Sequence, residues 1–161
     1  MSAGTTSAKI KVVRDLAVLA PRFRLAVETA IAACRDANLD AMVYESYRSP
    51  ALQAEYYSRG RTKIPPHGTV TNARSNLYSW HGYGLAVDVI SESAGWDKPE
   101  QWFTDVAEHF RAAGCRWGGE WKMKDLPHFQ WALCKPSPSD RARELIAMGG
   151  QATVWEVVGA D

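Results

Sequence analysis

The chain has 161 residues, 46% of them hydrophobic and 23% charged, with a formal net charge of +1. This length suits one domain, spanning 1–161, around a single core, and a monomer is expected. The near-neutral balance lacks the basic footprint of a nucleic-acid binder, and no apolar stretch approaches the roughly 20 residues of a membrane helix, so neither partner is expected.

Residues 1–9 are polar and lack the apolar centre of a signal peptide. They read as a loose arm on a chain made in the cytoplasm. Ile10 to Leu19 fits either a short strand or a helical turn. From Pro21 to Asn38 the spacing predicts a helix, because Phe23, Val27, Ala30, Ile31 and Cys34 fall on one apolar stripe. Pro21 suits its first turn and Asn38 its end. Ala41 to Tyr44 reads as a strand. Ser49-Pro50 then supplies an N-cap and first residue for a helix from Pro50 to about Arg59, stopped at Gly60.

Gly60 to Tyr78 is irregular and punctuated by Pro65-Pro66 and Gly68. A loop this long in a small domain is commonly functional and is expected to wall a groove. His67 within it is expected to be solvated rather than a ligand. Leu85 to Ile90 is rich in strand formers. Ser91 to Asp97 reads as a loop, and Asp97-Lys98-Pro99-Glu100 as a capping box for a helix reaching Ala113 and ending at Gly114. Trp102, Phe103, Val106, Phe110 and Ala113 form its buried stripe. His109 is expected to pair with Asp105.

Cys115 to Trp121 reads as a short strand entering a turn; its tryptophans are expected mainly to serve the core, with groove lining the alternative, more for Trp121 than for Trp117. Ser139 is expected to cap a helix from Asp140 to Met148, and Thr153 to Val158 to form a last strand. This tail is too short for an independent domain. Cys34, Cys115 and Cys134 are odd in number and lack Cys-x-x-Cys spacing, so free core thiols are expected.

Asp88 is out of place in its apolar strand, because a buried carboxylate is costly unless it is paired or binds a metal. His81 lies seven residues upstream. Fully extended, that separation is roughly 23 Å, so both reach one ion only if the chain folds back, and Gly82 and Gly84 make such a bend cheap. Near the other end, Pro127 disfavours a helix interior, and on a strand His128 and Gln130 share one face. Two histidines and one carboxylate are the protein ligands of a catalytic zinc site with an open position for water. Asp125 is a spare carboxylate three residues before His128.

Ser79, His81, Gly84, Ala86 and Asp88 match the signature Ser-x-His-x-x-Gly-x-Ala-x-Asp, and Asp125-x-x-His128 matches a second motif. Together they resemble the zinc D-alanyl-D-alanine peptidases and the phage L-alanyl-D-glutamate endopeptidases (endolysins) of bacterial cell-wall lysis, over roughly Val43 to Trp131. Gly60-Arg61-Thr62 and Val70-Thr71-Asn72-Ala73 resemble the L-alanyl-D-glutamate branch. The resemblance implies a small α+β domain, with a central, mainly antiparallel sheet carrying one zinc ion on His81, Asp88 and His128 and helices packed on one side. It implies Asp125 as general base and Arg48 as the cation for substrate carbonyl and oxyanion, so that Arg48→Ala should cost turnover rather than folding stability. Ser79 and Gln53 are implied as substrate-binding residues. The implied substrate is the stem peptide of peptidoglycan, cut at the L-alanyl-D-glutamate bond or, alternatively, at terminal D-alanine. A non-catalytic wall-binding zinc module is the reading from another class. The site of action would be the cell wall, reached in the phage case by release at host lysis.

Overall fold

The computed structural model describes residues 10–62 and 68–161. The expected arm and His67 lie outside these residues. Helix α1 spans Pro21–Asp36, with Phe23, Ala26, Val27, Ala30 and Cys34 buried. Its chain reverses at Asn38, which takes φ 60°, a conformation asparagine tolerates better than most residues. Strand β1 (Ala41–Glu45) follows, then α2 (Pro50–Ser58), whose Ser49 side chain accepts from Leu52 N. The open choice over Ile10–Leu19 resolves as a single tight helical turn, Leu16–Val18.

Strands β2 (Ala86–Ser91), β3 (Cys115–Trp117) and β4 (His128–Trp131) complete one antiparallel sheet in the order β1-β2-β4-β3. Helix α3 (Glu100–Ala112) and α1 pack on one face. There Val87, Val89 and Phe129 are fully buried, and Phe110 stacks on Phe129 with ring centroids 4.2 Å apart. Strand alternation therefore turns Asp88, His128 and Gln130 to the opposite face. Helix α2 packs instead against a turn at Asn76–Tyr78.

Three local expectations fail. The α3 helix begins at Glu100 behind Pro99 without a side-chain cap. Pro99 disfavours helical backbone at Lys98, which leaves Asp97 in the preceding turn and too far back to act as the cap. Asp105 accepts from Gln101 Nε2 at 2.8 Å rather than pairing with His109. The final segment is a helix, α5 (Gln151–Val157), joined to α4 (Asp140–Gly149) by Gly150 at φ 76°. Strand propensity at Thr153 to Val158 is overridden by anchoring. Val154 is buried, Trp155 Nε1 donates to Tyr83 O at 2.6 Å, and Ala160 O accepts from Arg22 N at 2.9 Å. The tail is thereby tied to the turn that carries His81.

Candidate metal centre

His81 sits in a tight helical turn, Trp80–Tyr83, just before β2. Ser79 Oγ caps this turn by accepting from His81 N at 3.3 Å. Gly84 closes it at φ 69°. Gly82 is required by proximity, since a Cβ there would stand 2.0 Å from Asn76 O. The fold-back that the glycines permit thus brings His81 over β2. Cross-strand register places His128 opposite Asp88.

His81 Nε2 and His128 Nδ1 lie 3.3 and 3.7 Å from the same oxygen, Asp88 Oδ1. Among the described residues, His81, Asp88 and His128 are the group able to hold a metal ion, with one ligand atom each and all three within 4.8 Å of one another. Hydrogen bonds on the reverse sides of the rings fix which nitrogens are free. His81 Nδ1 is 3.2 Å from Ser46 O, and a carbonyl only accepts, so Nδ1 carries the proton and Nε2 keeps its lone pair. Gln130 Nε2 donates to Lys135 O at 2.8 Å, which turns Gln130 Oε1 towards His128 Nε2, also at 2.8 Å. His128 therefore donates through Nε2 and presents the Nδ1 lone pair inward. Both rings are set as metal-ligating histidines are, with the far N–H given to a protein acceptor. The donor set fits a divalent ion.

Electrostatics point the same way. Burial acts to raise the Asp88 carboxyl, but His81, His128 and Arg48 together hold it well below the usual carboxylate range. Burial opposes charge on His128, yet Asp88 and Asp125 raise its proton affinity, as they would favour any cation held there. Asp125 lies at the mouth with its side chain half exposed and Oδ2 3.9 Å from His128 Nδ1. Burial in the cleft, reinforced by Asp88, pushes its carboxyl above the ordinary value. The chain positions it through Asp125 N donating to Gly118 O and His128 N donating to Asp125 O, at 2.9 and 3.2 Å.

Arg48 is buried deeper than an arginine serving only substrate. Its Nε donates to Glu45 Oε1, Nη1 donates to Gln53 Oε1 at 3.0 Å, and Nη2 is 3.6 Å from Asp88 Oδ2. A bulge in β1 skips Tyr44 and sets Glu45, fully buried, opposite Asp88. Sequence reasoning missed Glu45; an acidic residue at a strand end, three before the arginine, was its only signal. Gln53 is likewise fully buried, which does not fit the expected direct contact with substrate. It holds Arg48 and ties down the loop through Ala73 O at 2.6 Å. Ser79 lines the cleft as well as capping the His81 turn.

The cleft has a volume of about 890 Å³ and takes in His81, Asp88, His128, Asp125 and Arg48. Trp121 lines it, its ring centroid 4.9 Å from that of His128, whereas Trp117 is buried with Nε1 donating to Leu126 O.

Comparison with known proteins accords with this geometry. A sequence family described as D-alanyl-D-alanine carboxypeptidase matches residues 72–131. The peptidoglycan L-alanyl-D-glutamate endopeptidase CwlK of Bacillus subtilis (strain 168) is 36% identical over 112 residues, which are 62% of this chain and 65% of CwlK. The crystal structure of the Serratia marcescens L-Ala D-Glu endopeptidase ChiX superposes with a TM-score of 0.55 at 28% identity, covering 81% of this chain and 95% of that one. Over these stretches the chain is similar to cell-wall peptidases. The fold alone is shared with the LD-carboxypeptidase LdcB, at 15% identity and a TM-score of 0.50 over 86% of this chain and 67% of that one. The chain spans just under two thirds of the length of CwlK. The family match, residues 72–131, contains His81, Asp88, Asp125 and His128 but neither Arg48 nor Gln53. Those two join the site through the fold. Among the described residues, no helix is long and apolar enough to cross a membrane.

Proposed function

We propose that the chain is a zinc-dependent peptidoglycan peptidase that hydrolyses the L-alanyl-D-glutamate bond of the stem peptide. The observation that carries the reading is the pair of inward lone pairs, His81 Nε2 and His128 Nδ1, converging on Asp88 Oδ1 with a second carboxylate, Asp125, beside them. The choice of bond is supported by the likeness to CwlK and ChiX, whose names state that cleavage.

His81, Asp88 and His128 would hold the ion. Zinc bound by two histidines and a carboxylate supplies Lewis acidity and lowers the pKa of water from about 15.7 towards about 7. Asp125 takes the proton from the attacking water and delivers it to the leaving amine. Its raised proton affinity suits a group that must both accept and give up a proton. Arg48, held by Glu45, Gln53 and the Tyr56 ring 4.8 Å from its Cζ, is a fixed cation facing the developing oxyanion. It does not reorganise as charge appears, which makes such a group effective. Ser79 holds the His81 turn and offers its hydroxyl to substrate backbone.

A second reading, removal of terminal D-alanine, is favoured by the activity in the family's description. Digestion of purified peptidoglycan by the zinc-loaded protein, read by mass spectrometry, separates the two. A new N-terminal D-glutamate on the stem supports the endopeptidase, and released D-alanine moves the chain to the carboxypeptidase reading. Intact walls of several chemotypes, with zinc bound, would leave a non-catalytic wall-binding module.

A further inference from the structure

Arg48 and Arg59 line the cleft and Arg61 lies on the chain beside it, and the three are used differently. Arg48 donates hydrogen bonds from Nε to Glu45 and from Nη1 to Gln53, and its Nη2 makes a longer ion-pair contact with Asp88. Arg61 is spent on the fold, with Nη1 donating to Tyr57 O and Thr71 O at 2.7 and 3.1 Å and its Cζ 3.8 Å above the Tyr57 ring. Arg59 lines the cleft, and although its backbone N donates to Tyr56 O at 3.3 Å, its side chain makes no hydrogen bond to any described residue. Its Nε is buried without a hydrogen-bond partner, and its contact with the Glu55 carboxylate, at 3.7 Å, is an ion pair only. Its side chain is 31% exposed.

Position adds to this. The Cζ atoms of Arg48 and Arg59 lie 4.8 and 5.0 Å from the centroid of one ring, that of Tyr56. Tyr56 is itself fixed by its hydroxyl donating to Glu45 Oε2 at 3.1 Å. The arginine expected to meet the oxyanion and the unsatisfied arginine therefore share one rigid aromatic support. A guanidinium with open donors in a cleft wall is suited to a planar anion, which it can grip in two places.

We infer that Arg59 is a specificity-determining residue, the anion subsite that takes a carboxylate of the substrate lying beyond the scissile bond. This rests on the peptidase reading above for the identity of the substrate. The stem peptide offers two sources of that group, the free α-carboxylate of the γ-linked D-glutamyl residue and the carboxylate at the peptide's end. Arg59 would make the enzyme prefer acids to the corresponding amides, and it would act on binding rather than on the bond-breaking step.

The test uses L-alanyl-γ-D-glutamyl-L-lysine and its two monoamides, one at the glutamyl α-carboxyl and one at the C-terminus. Binding is measured by calorimetry on zinc-loaded Asp125→Ala protein, and KM and kcat on the zinc-loaded enzyme. One amide should bind about 10-fold more weakly than the acid, the scale of one charge-assisted hydrogen-bonded contact. That amide identifies which carboxylate Arg59 holds. Arg59→Gln should raise KM for the acid to the level of that amide, abolish the preference, and leave kcat within about twofold, while Arg59→Lys should restore part of it. Equal binding of all three peptides to the unsubstituted site overturns the inference. So does a preference that survives Arg59→Gln, or a loss confined to kcat. Arginine-dependent preference in binding with no cleavage of any peptide would uphold the anion subsite and sink the peptidase reading.

Discussion

Replacing Gln130 with methionine tests whether the metal site depends on the hydrogen bond behind His128. Gln130 is fully buried, and its Oε1 is the acceptor that keeps the proton on His128 Nε2 and the lone pair on Nδ1. Methionine preserves volume and removes that acceptor. The lost bond to Lys135 O matters little, because Trp80 Nε1 also donates to that carbonyl at 2.6 Å. What remains is one buried N–H without a partner, a penalty of about 1–3 kcal/mol in the metal-free protein. Zinc affinity should fall about 10- to 100-fold, the range found when such supporting groups are removed, or roughly 1.4–2.7 kcal/mol. Competition with a chromophoric chelator gives the affinity, and urea unfolding in EDTA gives the stability separately. Gln130→Glu is the control, since a carboxylate still accepts from Nε2; its affinity should stay within a few-fold of the original. Zinc binding by Gln130→Met within twofold of the parent would refute the argument. Equal weakening in the glutamate variant would trace the effect to repacking instead of the lost acceptor.

The three candidate ligands stood out in the sequence through local features. Asp88 interrupts an apolar strand, His81 precedes two glycines at a bend, and strand parity put His128 opposite Phe129. The helices were legible from their stripes, and Ser49 and Ser139 from cap chemistry, both of which form. Residues that support the ligands carry no such mark. Gln130 could be placed on the right face, but its role depends on Lys135 O, five residues on and across a turn. Glu45 reaches Asp88 only through a bulge, a register shift that no periodicity announces. Arg48 was read as a working cation at a strand-to-helix junction, with no sign that it is also half of a buried ion pair. The last segment was misread because Thr, Val and Trp favour strands only where a sheet edge is free to receive them.

Asp125→Asn should keep one equivalent of zinc by metal analysis while turnover falls about 100-fold or more; near-normal hydrolysis would remove Asp125 as the base. Arg48→Ala should lower stability as well as turnover, contrary to expectation from sequence, because it strands the fully buried Glu45, a loss of about 3–5 kcal/mol. An unchanged urea midpoint would show that Glu45 needs no arginine. Burial pushes the thiols of Cys34 to about 11 and of Cys115 and Cys134 to about 12, which suppresses the reactive thiolate. Ellman's reagent at pH 8 should therefore find no thiol in the native protein and three after denaturation, and rapid native labelling would contradict the packing. Gly118→Ala addresses the position of Asp125 without touching its chemistry. A Cβ at Gly118 would stand 2.6 Å from Asp125 O and 3.1 Å from the Cβ atoms of both Asp125 and His128. The nearest atom is backbone, and Asp125 N is bonded to Gly118 O at 2.9 Å, so no side-chain rotation relieves the clash. The Asp125–His128 segment must shift bodily. Overpacking of this kind costs about 1–3 kcal/mol, and displacing a reacting group by about 1 Å can cost about 100-fold in rate. Gly68→Ala, with nothing within 4 Å of the new Cβ, is the neutral control. If Gly118→Ala melts normally and turns over within about threefold of the parent, the segment is not held where the metal site needs it, and the role of Asp125 would require another anchor.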